Sequence, residues 1–145
     1  MDMRIRNLLV LFAFVAGAQA QQETHFVVLS SSAAKSINAV QTTWSQTKVD
    51  IDDAEANISQ VAILQAEGWS SMIHIDHPER YFRQYVPVRR AGKRVLYLNA
   101  LCDENPPAYW RKRLVIVADG ATCYWQAFYD PATKKYSHLT INSRA

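Results

Sequence analysis

Residues 113–142 read R-L-V-I-V-A-D-G-A-T-C-Y-W-Q-A-F-Y-D-P-A-T-K-K-Y-S-H-L-T-I-N, and this stretch predicts the centre of the fold. Three β-rich runs are separated by Asp119-Gly120 and by a polar sequence that begins at Asp130-Pro131. Asp-Gly between apolar runs is typical of a tight hairpin turn, because glycine accepts the positive φ that such a turn needs. Asp-Pro followed by polar residues indicates a second, looser turn. The chain is therefore expected to end in an antiparallel sheet.

Two further strands are predicted before this stretch. The first runs from Tyr81 to Val88, and a basic loop at 89–93 connects it to a return strand from Arg94 to Leu101. Apolar side chains occupy both alternating sets of positions in the return strand, which indicates a strand covered on both faces. Pro106-Pro107 excludes a helix and a central strand, so residues 103–112 are predicted to form an irregular loop.

The clearest helical pattern lies at residues 50–67. Asp52-x-x-Glu55 has the spacing of a capping box, and early carboxylates suit the positive end of a helix dipole. Gly68 follows as the expected left-handed terminator. Apolar side chains recur at spacings of three and four and so share one helix face: Ile51, Ala54, Ile58, Val61 and Leu64.

The predicted fold class is α+β, with one long N-terminal helix packed on a curved antiparallel sheet of four to five strands. Cystatin-like and nuclear-transport-factor-like rolls are the nearest architectures by analogy. The predicted organisation is a signal peptide at residues 1–20, a loosely ordered arm at 21–46 and a single domain at 47–145. A short helix is expected at about 33–41 within the arm, and Trp44 is large enough to pin the arm to the domain.

The first twenty residues have the pattern of a cleavable signal peptide. Arg4 and Arg6 give a positive start, residues 8–15 form an apolar run, and Ala18-Gln19-Ala20 has the form of a cleavage site. The apolar run is too short for an ordinary membrane-spanning helix, although an uncleaved anchor is the alternative. We expect export to the periplasm or to the outside of the cell, cleavage after Ala20, and no transmembrane segment in the mature chain.

The cysteines, Cys102 and Cys123, both lie in the sheet-forming half. An even pair in an exported protein indicates a disulfide, which here would close a loop of about 20 residues and contribute about 3 kcal/mol. A plain meander with strands at 95–101, 113–118 and 123–129 would instead hold the two thiols about 20 Å apart. Either the loop at 103–112 redirects one strand and the bridge forms, or both thiols are reduced. We predict the bridge.

Charge is divided unevenly along the chain. Residues 21–78 carry two lysines and seven carboxylates, whereas residues 79–145 carry twelve lysines and arginines and five carboxylates. Either an acidic helix lies over a basic sheet and the charges roughly cancel, or the basic half contacts an acidic partner. An anionic surface, such as lipid headgroups, lipopolysaccharide or nucleic acid, would be met by basic side chains at the predicted hairpin and the following loop: Arg89, Arg90, Lys93, Arg94, Arg111, Lys112 and Arg113.

Polar and aromatic side chains alternate on the predicted strands and form a candidate binding face. Arg83 and Tyr85 share one face of the first strand, Tyr97 and Asn99 share one face of the return strand, and His138 lies on the last strand. Tyrosine and arginine are favoured in binding hot spots. If the three strand faces coincide, these five residues form one surface. The alternative is that the tyrosines pack the edge of a small core.

No residue pattern indicates catalysis. His74-x-Asp76-His77 is the one cluster with metal-ligand residue types, and it lacks an obvious third or fourth ligand, so neither a metal nor a cofactor is predicted. The chain has no G-x-S-x-G sequence and no Gly-rich phosphate loop. The sequence favours a non-catalytic binding or interaction module of inhibitor or immunity type, acting on an unidentified protein or small ligand. The alternative is a small enzyme or ligand carrier with a pocket between helix and sheet near His138 and Asn99.

Three runs resemble a family of small exported bacterial proteins of unassigned function. They are Y-F-R-Q-Y (81–85), G-K-R-V-L-Y-L-N-A-L-C (92–102) and V-A-D-G-A-T-C-Y-W-Q-A-F-Y-D (117–130). The resemblance covers roughly residues 44–145, and it departs where Ala121 replaces the second glycine of a D-G-G sequence and Gln46 replaces a proline. It implies export and the cysteine pair, and it implies no activity.

Overall fold

One five-stranded sheet organises the protein. The structure is a computed structural model that describes residues 24–37 and 43–144. The strands are β1 (Phe26–Val28), β2 (Phe82–Arg90), β3 (Lys93–Leu101), β4 (Tyr124–Asp130) and β5 (Lys135–Ile141). They are neighbours in chain order, with β1 parallel to β2 and the other pairs antiparallel. The predicted signal peptide at 1–20 and residues 38–42 lie outside the described residues.

Helical structure is limited to short segments. The α-helix α1 spans Lys48–Ala56, and it is the one helix of seven or more residues in the described part of the chain. The 3₁₀ helices are Ser31–Ser36, Ile58–Ile63, Gly68–Ser70, Pro78–Arg80 and Ala121–Cys123. The predicted fold class is therefore wrong, because no long N-terminal helix packs on the sheet and the described fold is mostly sheet. None of the described helices has the length and apolar character that crossing a bilayer requires.

The predicted helix at 50–67 is interrupted at Asn57. The Asn57 side-chain amide donates to the carbonyl of Asp53 at 2.8 Å, and its backbone N–H bonds to carbonyls of the last turn, which closes α1. The chain continues as the 3₁₀ helix Ile58–Ile63, in which Ile58 and Val61 are still buried. Since a spacing of three residues suits both helix types, the apolar pattern could not tell one long helix from two short ones.

The N-terminus of α1 is capped by a residue that the sequence prediction missed. Thr47 accepts a hydrogen bond from the Asp50 N–H through its hydroxyl, while its own N–H donates to the Asp50 carboxylate at 2.7 Å. This reciprocal capping box begins the helix at Lys48 and displaces the predicted box at Asp52 and Glu55.

The connection from residue 102 to residue 123, which we call the strap, contains no β-strand. The predicted strand at 113–118 is therefore wrong, and β3 and β4 are direct neighbours with Leu101 opposite Tyr124. Cys102 and Cys123 continue this pairing, with Cα atoms 4.8 Å apart, and form a disulfide. The predicted bridge is confirmed, because no middle strand separates the two cysteines. A disulfide is compatible with an extracellular location.

Two segments cover the two faces of the sheet. The first face, which we call the helix face, is covered by α1 and the chain that follows it, and holds the largest apolar cluster, including Leu96, Leu98 and Trp125. The second, which we call the strap face, is covered by the 3₁₀ helix Ser31–Ser36 and the strap. The predicted arm contributes to the sheet and to the packing on both of its faces. It supplies strand β1, the buried Leu29 and Ile37 on the strap face, and Trp44 on the helix face.

Candidate binding surface

The five residues predicted to form one binding face lie on both faces of the sheet. The register places Gln84 opposite Asn99 and Arg83 opposite Ala100, so Arg83 and Asn99 point in opposite directions. Tyr85 faces the helix side with Arg83, whereas Tyr97 shares the strap face with Asn99. The prediction that these residues share one face of the sheet is therefore wrong. A shift of one residue in the pairing register moves every side chain of a strand to the opposite face.

His138 is displaced from the regular alternation by a β-bulge in β5. The pairing with β4 shifts between Gln126 and Phe128, and His138 takes a φ of 55°. Its ring Nδ1 lies 2.6 Å from Oε1 of Glu67, and both side chains are exposed. The ring also packs against Phe128 in an edge-to-face arrangement. His138 is thus on the outer rim of the sheet, separate from Arg83 and Tyr85.

Arg83 is buried, with 5% of its surface exposed, and its guanidinium is bonded within the chain. Nε and Nη2 donate to the two carboxylate oxygens of Glu55 at 2.8 and 2.7 Å. Nη1 donates to the backbone carbonyls of Glu79 and Tyr81 at 2.7 and 2.6 Å. Arg83 therefore ties α1 to the sheet and is not placed to contact a partner.

Tyr85 belongs to the same internal cluster. Its hydroxyl donates to Glu55 at 2.6 Å and lies 3.1 Å from the hydroxyl of Tyr136, which donates to the Ala54 carbonyl at 2.9 Å. Burial, together with the nearby Tyr136 and Glu55, raises the pKa of Tyr85 well above its ordinary value. The hydroxyl of Tyr85 is thus satisfied within the helix face, which gives Tyr85 a structural role.

Four amide side chains form a row across the strap face, which we call the amide row. Gln84, Asn99 and Gln126 are consecutive partners on β2, β3 and β4, and Asn142 follows directly after β5. Asn99 donates to Gln84 at 2.9 Å, and the Gln126 amide donates to Asn99 at 3.2 Å and to Asn142 at 3.1 Å. Sequence reasoning singled out Asn99 as a site residue and missed Gln84 and Gln126, although each is an amide at a strand position.

The amide row holds the backbone of the strap. Gln84 donates to the Arg113 carbonyl at 2.8 Å and accepts from the Val115 N–H at 2.9 Å. Asn99 donates to the Val115 carbonyl at 2.9 Å. Further along, the Asn142 amide donates to two more carbonyls, those of Val117 and Asp119. The sheet thus fixes the main chain of the strap through these hydrogen bonds, in addition to the burial of the Trp110 and Val115 side chains.

Cations of the basic half are mostly without an acidic partner. Of the twelve lysines and arginines in residues 79–145, two, Arg83 and Lys134, lie within 4.0 Å of a carboxylate in the described structure. The described carboxylates of residues 21–78 belong to α1 and the chain that follows it. Most cations of the basic half therefore do not form ion pairs in the described structure.

Four arginines lie instead over aromatic rings. Their guanidinium carbons are 4.4 to 5.9 Å from the ring centroids, within the range of cation–π attraction. The pairs are Arg90 with Phe128, Arg94 with Trp44, Arg111 with Trp110, and Arg113 with Tyr109.

The seven basic residues predicted to form one anionic-binding surface make two clusters. One surrounds the turn between β2 and β3, and the other lies on the strap. The backbone of Arg113 is bonded to Gln84, six residues along β2 from Arg90. At about 3.3 Å per residue this distance is about 20 Å. The strap cluster is the one that adjoins exposed aromatic and apolar side chains.

A slot of about 450 Å³ lies between the strap and the 3₁₀ helix Ser31–Ser36. Its walls contain two cations and no carboxylate. Ile116 is 67% exposed and Tyr109 is 38% exposed, so apolar surface is accessible beside the cations. The lining residues are Ser32, Ala33, Ser36, Tyr109, Lys112, Arg113, Leu114 and Ile116.

A smaller cavity of about 180 Å³ lies beside Tyr97 and Asn99, beneath the strap. The alternative prediction placed a pocket near Asn99 and His138 between helix and sheet. This cavity is between sheet and strap, and His138 is not part of its wall. Burial raises the pKa of Tyr97 to about 12, so its hydroxyl stays protonated at neutral pH.

No arrangement of metal ligands is present in the described residues. No three histidine, cysteine or carboxylate side chains there converge as a metal ion would require. His74 and Asp76 are exposed, and the His77 ring lies 3.2 Å from the Glu79 carboxylate.

No family model, curated protein or solved structure matches this chain. The resemblance to small exported bacterial proteins stays a prediction. The surface must therefore be interpreted from its own geometry.

Proposed function

We propose that this protein is an exported, non-catalytic binding module of inhibitor or immunity type, which contacts an acidic protein through the strap. The contact surface comprises Tyr109, Arg111, Lys112, Arg113 and Ile116, which we call the strap surface. Export is supported by the sequence pattern of residues 1–20 and is consistent with the disulfide that closes the strap.

The observation that carries this proposal is the pairing of strap arginines with aromatic rings in place of carboxylates. Arg113 lies 4.5 Å from the ring centroid of Tyr109, and Arg111 lies 4.4 Å from that of Trp110. A guanidinium matches a carboxylate with two parallel hydrogen bonds, and stacking on a ring leaves the edge of Arg113 available for them, whereas Arg111 also donates to the Thr24 carbonyl at 3.1 Å. Stacking also orders the side chain before binding, which lowers the entropic cost of association.

An acidic protein fits this surface better than a lipid headgroup or a nucleic acid. The cations adjoin Ile116 and Tyr109, so the surface combines charge with apolar contacts, as protein interfaces do. A phosphate polymer would be met by a continuous line of cations. The described basic clusters are instead separated by about 20 Å along β2.

A charge-reversal experiment tests the proposal. Lys112→Glu/Arg113→Glu changes two exposed strap cations, and the matched control Lys48→Glu/Arg80→Glu makes the same charge change on the other side of the sheet. The tagged protein is cross-linked in envelope extract, and captured proteins are identified and quantified. We expect an acidic partner that the strap variant loses and the control retains, with capture that weakens as salt rises. Equal capture by both variants contradicts the proposal.

A further inference from the structure

Between Arg113 and Val117, the strap has one edge whose backbone groups are bonded to the sheet and one edge whose backbone groups are not. Odd-numbered residues bond to the amide row, because successive residues of an extended chain direct their N–H and C=O groups to opposite sides. The N–H and C=O groups of Leu114 and Ile116 point the other way. They have no hydrogen-bond partner among the described residues. We call Leu114–Ile116 the unpaired edge.

The unpaired edge lines the slot beside the 3₁₀ helix Ser31–Ser36. Leu114 and Ile116 form part of its wall, and Lys112 and Arg113 lie on the same wall. The slot therefore offers main-chain donors and acceptors next to two cations, with no carboxylate in its lining. Ile116 is 67% exposed, so this part of the slot wall is open to solvent.

We propose that the unpaired edge binds an extended, acidic segment of the partner protein by strand addition. This inference rests on the proposed function and names the form and chemistry of what the strap surface recognises. The main chain of the segment pairs with Leu114 and Ile116. Its carboxylate side chains contact Lys112 and Arg113, and an apolar side chain packs on Ile116.

Strand addition is favoured by the spacing and by the rigidity of the edge. The unpaired groups are two residues apart, about 7 Å, which is the repeat that a second extended chain presents. The amide row holds the opposite edge of the strap, and the Cys102–Cys123 disulfide joins its ends. The edge is thus held extended before any partner arrives, so binding does not have to order it.

Peptide binding measured by NMR tests strand addition directly. The probe is the peptide Ac-Glu-Val-Glu-Val-Glu-Val-Glu-NH2, titrated into the folded protein to about 2 mM, at which a complex with a Kd of about 1 mM is mostly formed. We expect the amide signals of Leu114 and Ile116 to shift and their hydrogen exchange to slow. Absence of these changes at the highest concentration overturns the inference.

Two N-methylated forms of the same peptide serve as matched controls. One carries N-methyl groups on the glutamates and the other carries them on the valines, so each loses the donors of one edge only. We expect one form to bind at least about five-fold more weakly, since each lost hydrogen bond weakens binding severalfold, while the other form binds as the parent does. Equal binding by the two forms overturns strand addition.

Protein variants separate this inference from the proposed function. Ile116→Pro removes one N–H of the unpaired edge, and Ile116→Ala removes the side chain but keeps the N–H. We expect only the proline variant to lose the slowed exchange at Leu114 on peptide binding. If partner capture depends on Lys112 and Arg113 but Ile116→Pro captures normally, strand addition fails and the proposed function stands. If the charge reversal has no effect on capture, the proposed function itself fails.

Discussion

The helix face and the strap face are covered by segments that are attached in opposite ways. On the helix face, covering side chains enter the core, and Glu55 reaches in to meet Arg83. On the strap face, side chains of the sheet reach outward and bond the backbone of the cover. The strap also buries Trp110 and Val115, but the hydrogen bonds to its backbone leave exposed side chains such as Lys112 and Arg113 free to contact a partner. This difference explains why the candidate surface is on the strap.

The largest expected effect is on the helix face. Glu55→Ala leaves the buried Arg83 without its carboxylate, and we expect a loss of about 3–5 kcal/mol in the free energy of unfolding, because an uncompensated buried charge is strongly destabilising. Urea denaturation measures it. Glu67→Ala removes the exposed carboxylate beside His138 and is the control, with an expected loss below about 1 kcal/mol. A similar loss for both variants would remove the distinction between a buried attachment and an exposed one.

The disulfide is the next strongest attachment, and it acts on the strap. Replacing Cys102 and Cys123 by serine opens a loop of about 20 residues, and we expect a loss of about 3 kcal/mol in the free energy of unfolding. Hydrogen exchange should quicken first in strap amides such as Val115, whose bond partner is on the sheet. If hydrogen exchange quickened equally at amides of α1, the strap and α1 would not be attached to the sheet independently of each other.

Alkaline pH is expected to weaken both faces. Burial raises the pKa of Tyr97 to about 12 on the strap face, and that of Tyr85 is raised on the helix face, chiefly by burial. A raised folded-state pKa means that the stability is fully present below the unfolded pKa of about 10 and is lost as pH rises towards the folded value. For Tyr97 the loss is about 2–3 kcal/mol between pH 10 and 12.

Urea denaturation at several pH values from 9 to 12 checks the alkaline prediction. Tyr97→Phe has no proton to lose, so its stability should decline less steeply over this range than that of the unaltered protein. Identical slopes would mean that the strap face does not bury the Tyr97 hydroxyl as described. The phenolate absorbance of the buried tyrosines should also rise at a higher pH than that of exposed tyrosines.

The smallest effect is expected at the far end of the amide row. Asn142→Ala removes the donors to the carbonyls of Val117 and Asp119, and we expect a loss of about 1 kcal/mol because water can replace bonds at this partly exposed end. Asn105→Ala, at an exposed strap position, is the control and should change stability by less than about 0.5 kcal/mol. Equal stabilities for the two variants would show that the row does not hold the strap.

Local patterns in the sequence predicted the local structure of the sheet well. The alternation in β2 and β3 and the turn at Asp130-Pro131 correspond to observed elements, and the burial of Ile51 and Val61 follows from their spacing. The helix length was wrong because Asn57 closes α1 with a side-chain hydrogen bond that competes with helix continuation. Apolar spacing carries no information about that competition.

The site was predicted less well, because it depends on register and on long-range contacts. Arg83 and Asn99 were predicted to share one face of the sheet, but the strand pairing places Gln84, not Arg83, opposite Asn99. Asp119-Gly120 resembled a hairpin turn, yet Gly120, with φ 94°, begins the 3₁₀ helix that leads into β4. The apolar run before it resembled a strand, and it is held by amide side chains instead of by strand pairing.

The sequence by itself indicated where strands β2 to β5 lie, although β2 and β3 extend into the predicted loop at 89–93, and it indicated most of the buried apolar positions and the concentration of basic residues in the second half. These features depend on spacing between residues close in the chain, where side-chain direction follows backbone geometry. Only the tertiary structure decided which face each polar side chain occupies, that the strap crosses the sheet, and that Leu114 and Ile116 keep an unpaired edge. Those outcomes arise from contacts between residues distant in sequence, such as Gln84 and Val115, which no local pattern encodes.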